Sequence, residues 1–116
     1  MSQTGTAARI PLSAPSITAH ERDRVMTCLE EGWVSTAGPQ VPELEAALAA
    51  ELDVAHVVAV STGTAALHLS LLVAGVGAGD EVIVPSLTFI ATVNAVSYCG
   101  ARPVFADVRP ESATLD

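Results

Sequence analysis

A short polar stretch, Ser61-Thr-Gly-Thr64, separates the apolar run His56-Val-Val-Ala-Val60 from a helix-forming one, Ala65-Ala-Leu-His-Leu69. Small hydroxyls and one glycine at the point where a helix begins suit the capture of an anion. The first N–H groups of a helix lack partners within it and carry the positive end of its dipole. Gly63 permits close approach to the backbone, and Thr62 and Thr64 offer hydroxyl donors. Two familiar phosphate-binding patterns are absent. A P-loop needs Gly-Lys-Ser/Thr, and a dinucleotide fingerprint needs G-x-G-x-x-G. An ordinary Ser/Thr helix cap would use the same residue types, so this turn alone leaves both readings open.

A second stretch, Pro85-Ser-Leu-Thr-Phe89, carries an aromatic in a chain whose only others are Trp33, Tyr98 and Phe105. Phe89 sits where a flat ligand could stack beside an anion site, although core packing is the commoner fate of a lone phenylalanine. His68, one helical turn beyond Thr64, reads as a packed or hydrogen-bonded helix residue, and Asp107 as a cap or turn former. All five basic residues are arginines (Arg9, Arg22, Arg24, Arg102, Arg109), and the 116 residues contain no lysine. Chemistry that requires a lysine amine is therefore beyond this polypeptide alone. Cys28 and Cys99 form no C-x-x-C pair, and His20, His56 and His68 are scattered. Two reduced thiols and no metal site are expected.

The elements that must position these residues follow from spacing. Residues 1–17 read as an extended lead-in. Thr18-Ala-His-Glu21 has the form of a capping box, and Val25, Met26 and Leu29 repeat at helical intervals as far as Glu31, before Gly32. Trp33 to Gly38 reads as a loop. Pro42 suits the first turn of a second helix striped by Leu44, Leu48 and Leu52. A strand is expected over His56–Val60, a helix over Thr64–Val73, a strand over Glu81–Val84, a helix over Phe89–Tyr98, and a third strand within Arg102–Asp107. The result is an α/β fold with the order β-α-β-α-β after two N-terminal helices. Its strands are nearly continuous apolar runs, which implies a parallel sheet covered on both faces. Right-handed crossovers put every strand-to-helix turn at the carboxyl edge, where open α/β sheets bind ligands. The Ser61–Thr64 and Pro85–Phe89 turns should then be neighbours.

A net charge of −8 and a pI near 4.6 argue against nucleic-acid binding, which needs a basic face. No apolar stretch is long enough to span a bilayer. The N-terminus has neither a basic start nor an apolar signal core, so a cytoplasmic location is expected.

Several stretches in order now carry a resemblance: Ile10-Pro-Leu-Ser-Ala-Pro-Ser16, Gly32-Trp-Val-Ser-Thr-Ala-Gly-Pro39, Ser61-Thr-Gly-Thr-Ala-Ala-Leu-His-Leu69, Gly79-Asp-Glu-Val-Ile-Val-Pro85, Leu87-Thr-Phe-Ile-Ala-Thr-Val-Asn-Ala95 and Gly100-Ala-Arg-Pro-Val-Phe-Ala-Asp107. Together they closely resemble the N-terminal part of the pyridoxal-phosphate-dependent nucleotide-sugar aminotransferases of the DegT/DnrJ/StrS family, and within it the LegC-type enzymes of nonulosonic-acid synthesis. The resemblance implies part of a fold-type I aminotransferase large domain over residues 18–116, truncated at its C-terminus. It implies a homodimer with sites at the subunit interface, glutamate as the amino donor and a keto-sugar nucleotide as acceptor. By the same resemblance Gly63, Thr64 and Ala65 bind the phosphate of pyridoxal phosphate and Phe89 stacks on its ring. Ser35 and Thr36 lie near the substrate. The Schiff-base lysine and the acidic partner of the pyridine nitrogen would lie beyond Asp116, leaving no catalytic residue in this chain. Two other readings compete: a non-catalytic α/β domain that holds a phosphorylated ligand or nothing, and a Rossmann-type domain, which the missing glycine pattern disfavours.

Overall fold

The computed structural model describes residue 11, residues 13–35 and residues 37–116, and they form two compact units that divide between Val57 and Val58. In the first unit, α1 spans Ala19–Glu30 and α2 spans Gln40–Leu52. The expected capping box is present. The Thr18 hydroxyl accepts from the His20 N–H at 3.2 Å, and Glu21 Oε2 accepts from the Thr18 N–H at 2.7 Å and also from its hydroxyl. These bonds hold the Glu21 carboxyl below its ordinary pKa of 4.5, the hydroxyl of Thr18 being the largest cause and its N–H the next. Gly32, at φ 78°, takes the left-handed conformation that ends a helix at low cost. Pro42 falls in the first turn of α2, where its missing N–H leaves no bond unmade. Arg24 and Glu43 join the two helices by an ion pair of 2.6 Å. Neither helix buries a residue, so the Leu44–Leu48–Leu52 stripe is open to solvent.

In the second unit, α3 (Gly63–Val73) is followed by β1 (Glu81–Pro85), α4 (Ile90–Tyr98) and β2 (Arg102–Ala106). β1 and β2 pair in parallel, with Glu81 opposite Arg102 and Pro85 opposite Ala106. The core is small: Val84, Val96 and Ala101 cluster, with Leu71, Val76, Val82, Val93 and Cys99 packed against them, and Ala95 is also buried. Alternation along β1 turns Val84 inward and leaves the intervening Ile83 65% exposed. After β2, an antiparallel bridge joins Val108 to Leu115, and Arg109 pairs with Asp116 at 2.9 Å. Asp107 follows β2; its Oδ1 accepts from the Val108 N–H at 2.8 Å and its carbonyl from the Asp116 N–H at 3.1 Å.

Two expectations are corrected. No strand forms over His56–Val60, so the sheet has two strands among the described residues rather than three. A β-branched run becomes a strand only when a neighbouring strand supplies the ladder, and among the described residues the sheet's ladder joins β1 to β2 alone. Nor is the sheet covered on both faces. Helix α4 packs on β1 and β2 and α3 packs on α4, so both helices lie to one side.

The helices nevertheless share a direction. A Cβ built on Gly100, just after α4, would come within 3.7 Å of the Cβ of Ala78, which follows α3. Near the same end the Arg102 N–H donates to the Asp80 carbonyl at 2.9 Å, immediately before β1 begins. The C-termini of α3 and α4 therefore lie at the amino edge of the sheet. Both N-termini open at the carboxyl edge.

Candidate functional site

Helix α3 starts at Gly63 because Thr62, in extended conformation (φ −150°, ψ 155°), caps it: its Oγ1 accepts from the Ala65 N–H at 3.1 Å. The Thr62 carbonyl takes the first helical bond, from Ala66 at 3.1 Å. These bonds leave the N–H groups of Gly63 and Thr64 without a partner among the described residues. A Cβ built on Gly63 would meet nothing within 4 Å, and its φ is not left-handed. Neither backbone strain nor packing within the chain calls for glycine there. The turn thus combines two features the sequence left as alternatives. Thr62 is a helix cap, and the two N–H groups beyond it stay open to an anion.

Phe89 is the N-cap residue of α4 rather than its first helical residue, at φ −65° and ψ 142°. It is 85% exposed, so core packing is not its role in this chain. Exposure by itself says little, since Leu87, Ile90 and Tyr98 are also well exposed. Its position says more. The N-cap favours Ser, Thr, Asp or Asn, whose side chains accept a first-turn N–H, and an aromatic forgoes that bond. No side chain caps α4. Sequence reasoning missed this because the i, i+4 pair Thr88 and Thr92 can be aligned only once the helix start is known. Their hydroxyl oxygens lie 3.0 Å apart.

His68 packs edge-to-face on Tyr98, with ring centroids 5.6 Å apart, as expected of a packed helix residue. A depression of about 360 Å³ lies at the opposite, amino edge, lined by Gly79, Asp80, Glu81, Gly100, Ala101, Arg102 and Pro103. Its charged groups Glu81 and Arg102 satisfy each other as an ion pair, so concavity and chemistry fall on different edges. In the first unit, the Ser35 hydroxyl accepts from the Ala37 N–H at 3.4 Å and shapes the Trp33–Gly38 loop. Gly38 is buried there, where a Cβ would lie 3.0 Å from that of Trp33. Thr36 lies outside the described residues. No helix among the described residues is long and apolar enough to cross a membrane.

Residues 15–116 match the model of the DegT/DnrJ/EryC1/StrS aminotransferase family. The chain is 48% identical over 108 residues to GDP-perosamine synthase of Caulobacter vibrioides, covering 93% of this chain and 29% of that protein. It is 42% identical to the UDP-4-amino-4-deoxy-L-arabinose–oxoglutarate aminotransferase of Shewanella sediminis, over 92% of this chain and 27% of that protein. Among solved structures, a Streptococcus pneumoniae protein assigned as a sugar aminotransferase superposes in its PLP form with a TM-score of 0.83. The identity there is 40%, and the match covers 92% of this chain and 27% of that one. The chain thus spans less than a third of the length of these relatives. With a family model matched over residues 15–116 and a parallel α/β unit of the same fold, the chain belongs to the DegT/DnrJ/EryC1/StrS aminotransferase family.

Proposed function

We propose that the full-length protein carrying this chain is a pyridoxal-phosphate-dependent aminotransferase. It moves an amino group from glutamate to a keto-sugar nucleotide and works as a homodimer. Two of the relatives bear on the substrates through their names: one is a GDP-perosamine synthase, and the other pairs a UDP-amino sugar with oxoglutarate. Residues 18–116 would form the first part of the cofactor-binding domain, with 1–17 as a lead-in.

One observation supports this reading of the site. The open N–H groups of Gly63 and Thr64 and the aromatic cap of α4 face the same edge of the sheet. The residues present fit a phosphate and a flat ring. Gly63 and Thr64 would hold the phosphate through backbone N–H groups, joined by the Thr64 hydroxyl. Ala65 would keep the turn narrow, since its own N–H is already bonded to Thr62. Phe89 would hold the ring by its face. Ser35 and Thr36 would contact the substrate. Pyridoxal phosphate, when bound, supplies the electron sink that lets an amino group leave one carbon for another. This chain's part would be to bind and orient it; the lysine such chemistry also needs is absent from these 116 residues, and the acidic partner of the pyridine nitrogen would lie outside them as well.

A second reading, for these 116 residues taken by themselves, is a domain that binds a phosphorylated ligand without catalysis. A half-reaction separates the two. Loaded with pyridoxal phosphate and given glutamate, the full-length protein should release one equivalent of 2-oxoglutarate per site. It should then consume amino-loaded cofactor only when a keto-sugar nucleotide is added. Tight cofactor binding with no release of a keto acid from any amino donor would favour the non-catalytic reading.

A further inference from the structure

Three helices of the chain begin next to a threonine, and one of them uses it differently. Thr18 and Thr62 occupy the N-cap positions of α1 and α3 and accept from first-turn N–H groups. Before α4 the threonine comes one residue early. Thr88 precedes the cap, the cap itself is Phe89, and the Thr88 hydroxyl meets Thr92 Oγ1 at 3.0 Å instead of a backbone N–H. Thr92 makes a second contact with the same turn, since its N–H donates to the Phe89 carbonyl at 3.0 Å. Phe89 is therefore bracketed. On its N-terminal side the Thr88 side chain is tied to Thr92, and on its C-terminal side its own carbonyl is tied to Thr92.

From this geometry we propose that Thr88 and Thr92 are positioning residues for the Phe89 platform. Their paired hydroxyls close a clasp across the first turn of α4 and fix the direction in which the exposed ring leaves the backbone. The inference rests on the reading of Phe89 as the surface that receives the cofactor ring. The physical need is clear. A helix that begins without a side-chain cap frays at its first turn. Phe89 has an extended ψ of 142°, and fraying would let the whole side chain swing. A flat ring is held well only by a surface that is already in place, because ordering it on binding subtracts from affinity. The clasp orders Phe89 without putting a polar group where the ring must lie. Thr88 and Thr92 touch neither cofactor nor substrate in this account.

The test uses the full-length protein titrated with pyridoxal phosphate, read by the circular dichroism induced in the cofactor's absorption band. Thr92→Val keeps the shape and removes the hydroxyl, and Thr88→Val removes the other half of the pair. Each should weaken binding roughly 2- to 10-fold, the range of one hydrogen bond's net contribution, and reduce the induced signal. Thr92→Ser should restore both. In a Phe89→Ala background, Thr92→Val should have no further effect, because the clasp acts only through that ring. Wild-type affinity and signal in both valine variants would overturn the proposal. So would an equal loss in the Phe89→Ala background. If Phe89→Ala itself binds and orients the cofactor like wild type, the platform reading fails and the clasp fails with it. A loss on Phe89→Ala alone, with the valine variants silent, sinks only the clasp.

Discussion

At the scale of single residues, Phe89 and Thr62 hold the same helix position to different effect: Thr62 caps α3 through its hydroxyl, and Phe89 begins α4 with no side-chain cap. An aromatic at an N-cap gives up the bond that Ser, Thr, Asp or Asn would make, and departures of that kind concentrate at functional sites. Phe89→Ser should therefore act in two directions at once. It should stabilise α4 by about 1 kcal/mol through a new cap and weaken cofactor binding. Thermal unfolding and a cofactor titration of the same protein read the two effects, and a serine variant that loses stability would contradict the assignment of Phe89 as an uncapped helix start. Thr62 should show the opposite pattern to its neighbour Thr64. Its oxygen is committed to the Ala65 N–H at 3.1 Å, so Thr62→Ala should cost about 1 kcal/mol of stability. The partition of roles between the two threonines was not legible in the sequence, where both stood as hydroxyl donors. The choice depends on where the helix starts, and the structure starts it at Gly63, one residue before the expected Thr64.

Among the elements, those set by local bonding were the easiest to read. The capping box of Thr18 and Glu21, the helix end at Gly32, and the helices α3 and α4 depend on residues within four of each other, and all are present. The strand expected over His56–Val60 depends on a partner elsewhere, and its apolar residues record only that a partner would be welcome. The α1 cap also fixes a pH dependence. Glu21 titrates lower in the folded state than in the unfolded one, because the Thr18 hydroxyl and N–H bond its ionised form. The stabilisation is therefore present above the ordinary carboxylate pKa and is lost as pH falls through the lowered folded value. Carboxyl NMR titration should place the Glu21 midpoint below 4.5, and the α1 amides should exchange faster once it protonates. Glu21→Gln should make that exchange insensitive to acid in the same range, and an unchanged acid response in Glu21→Gln would exclude the capping box as its source.

For the whole molecule, the apolar surface exceeds what these residues cover. The core cluster holds three buried side chains, while Ile83, Phe105, Leu87 and the stripe of α2 lie open. Exposed apolar area of this extent favours association, and among the described residues each sheet strand has one edge without a neighbouring strand. Prepared alone, residues 1–116 should self-associate or unfold broadly. A clean monomer in sedimentation with a sharp cooperative melt would contradict this. On the proposed reading, the turn at Gly63 and Thr64 would hold a phosphate and Phe89 would hold a ring. Binding of pyridoxal phosphate and of pyridoxal, which lacks the phosphate, to the full-length protein tests both halves together. A hydrogen bond to a charged group contributes roughly 1.5–3 kcal/mol. Thr64→Ala should therefore reduce the preference for the phosphorylated form about 10- to 150-fold. Phe89→Ala should weaken both ligands alike and leave that preference intact. An unchanged preference in Thr64→Ala would contradict the account.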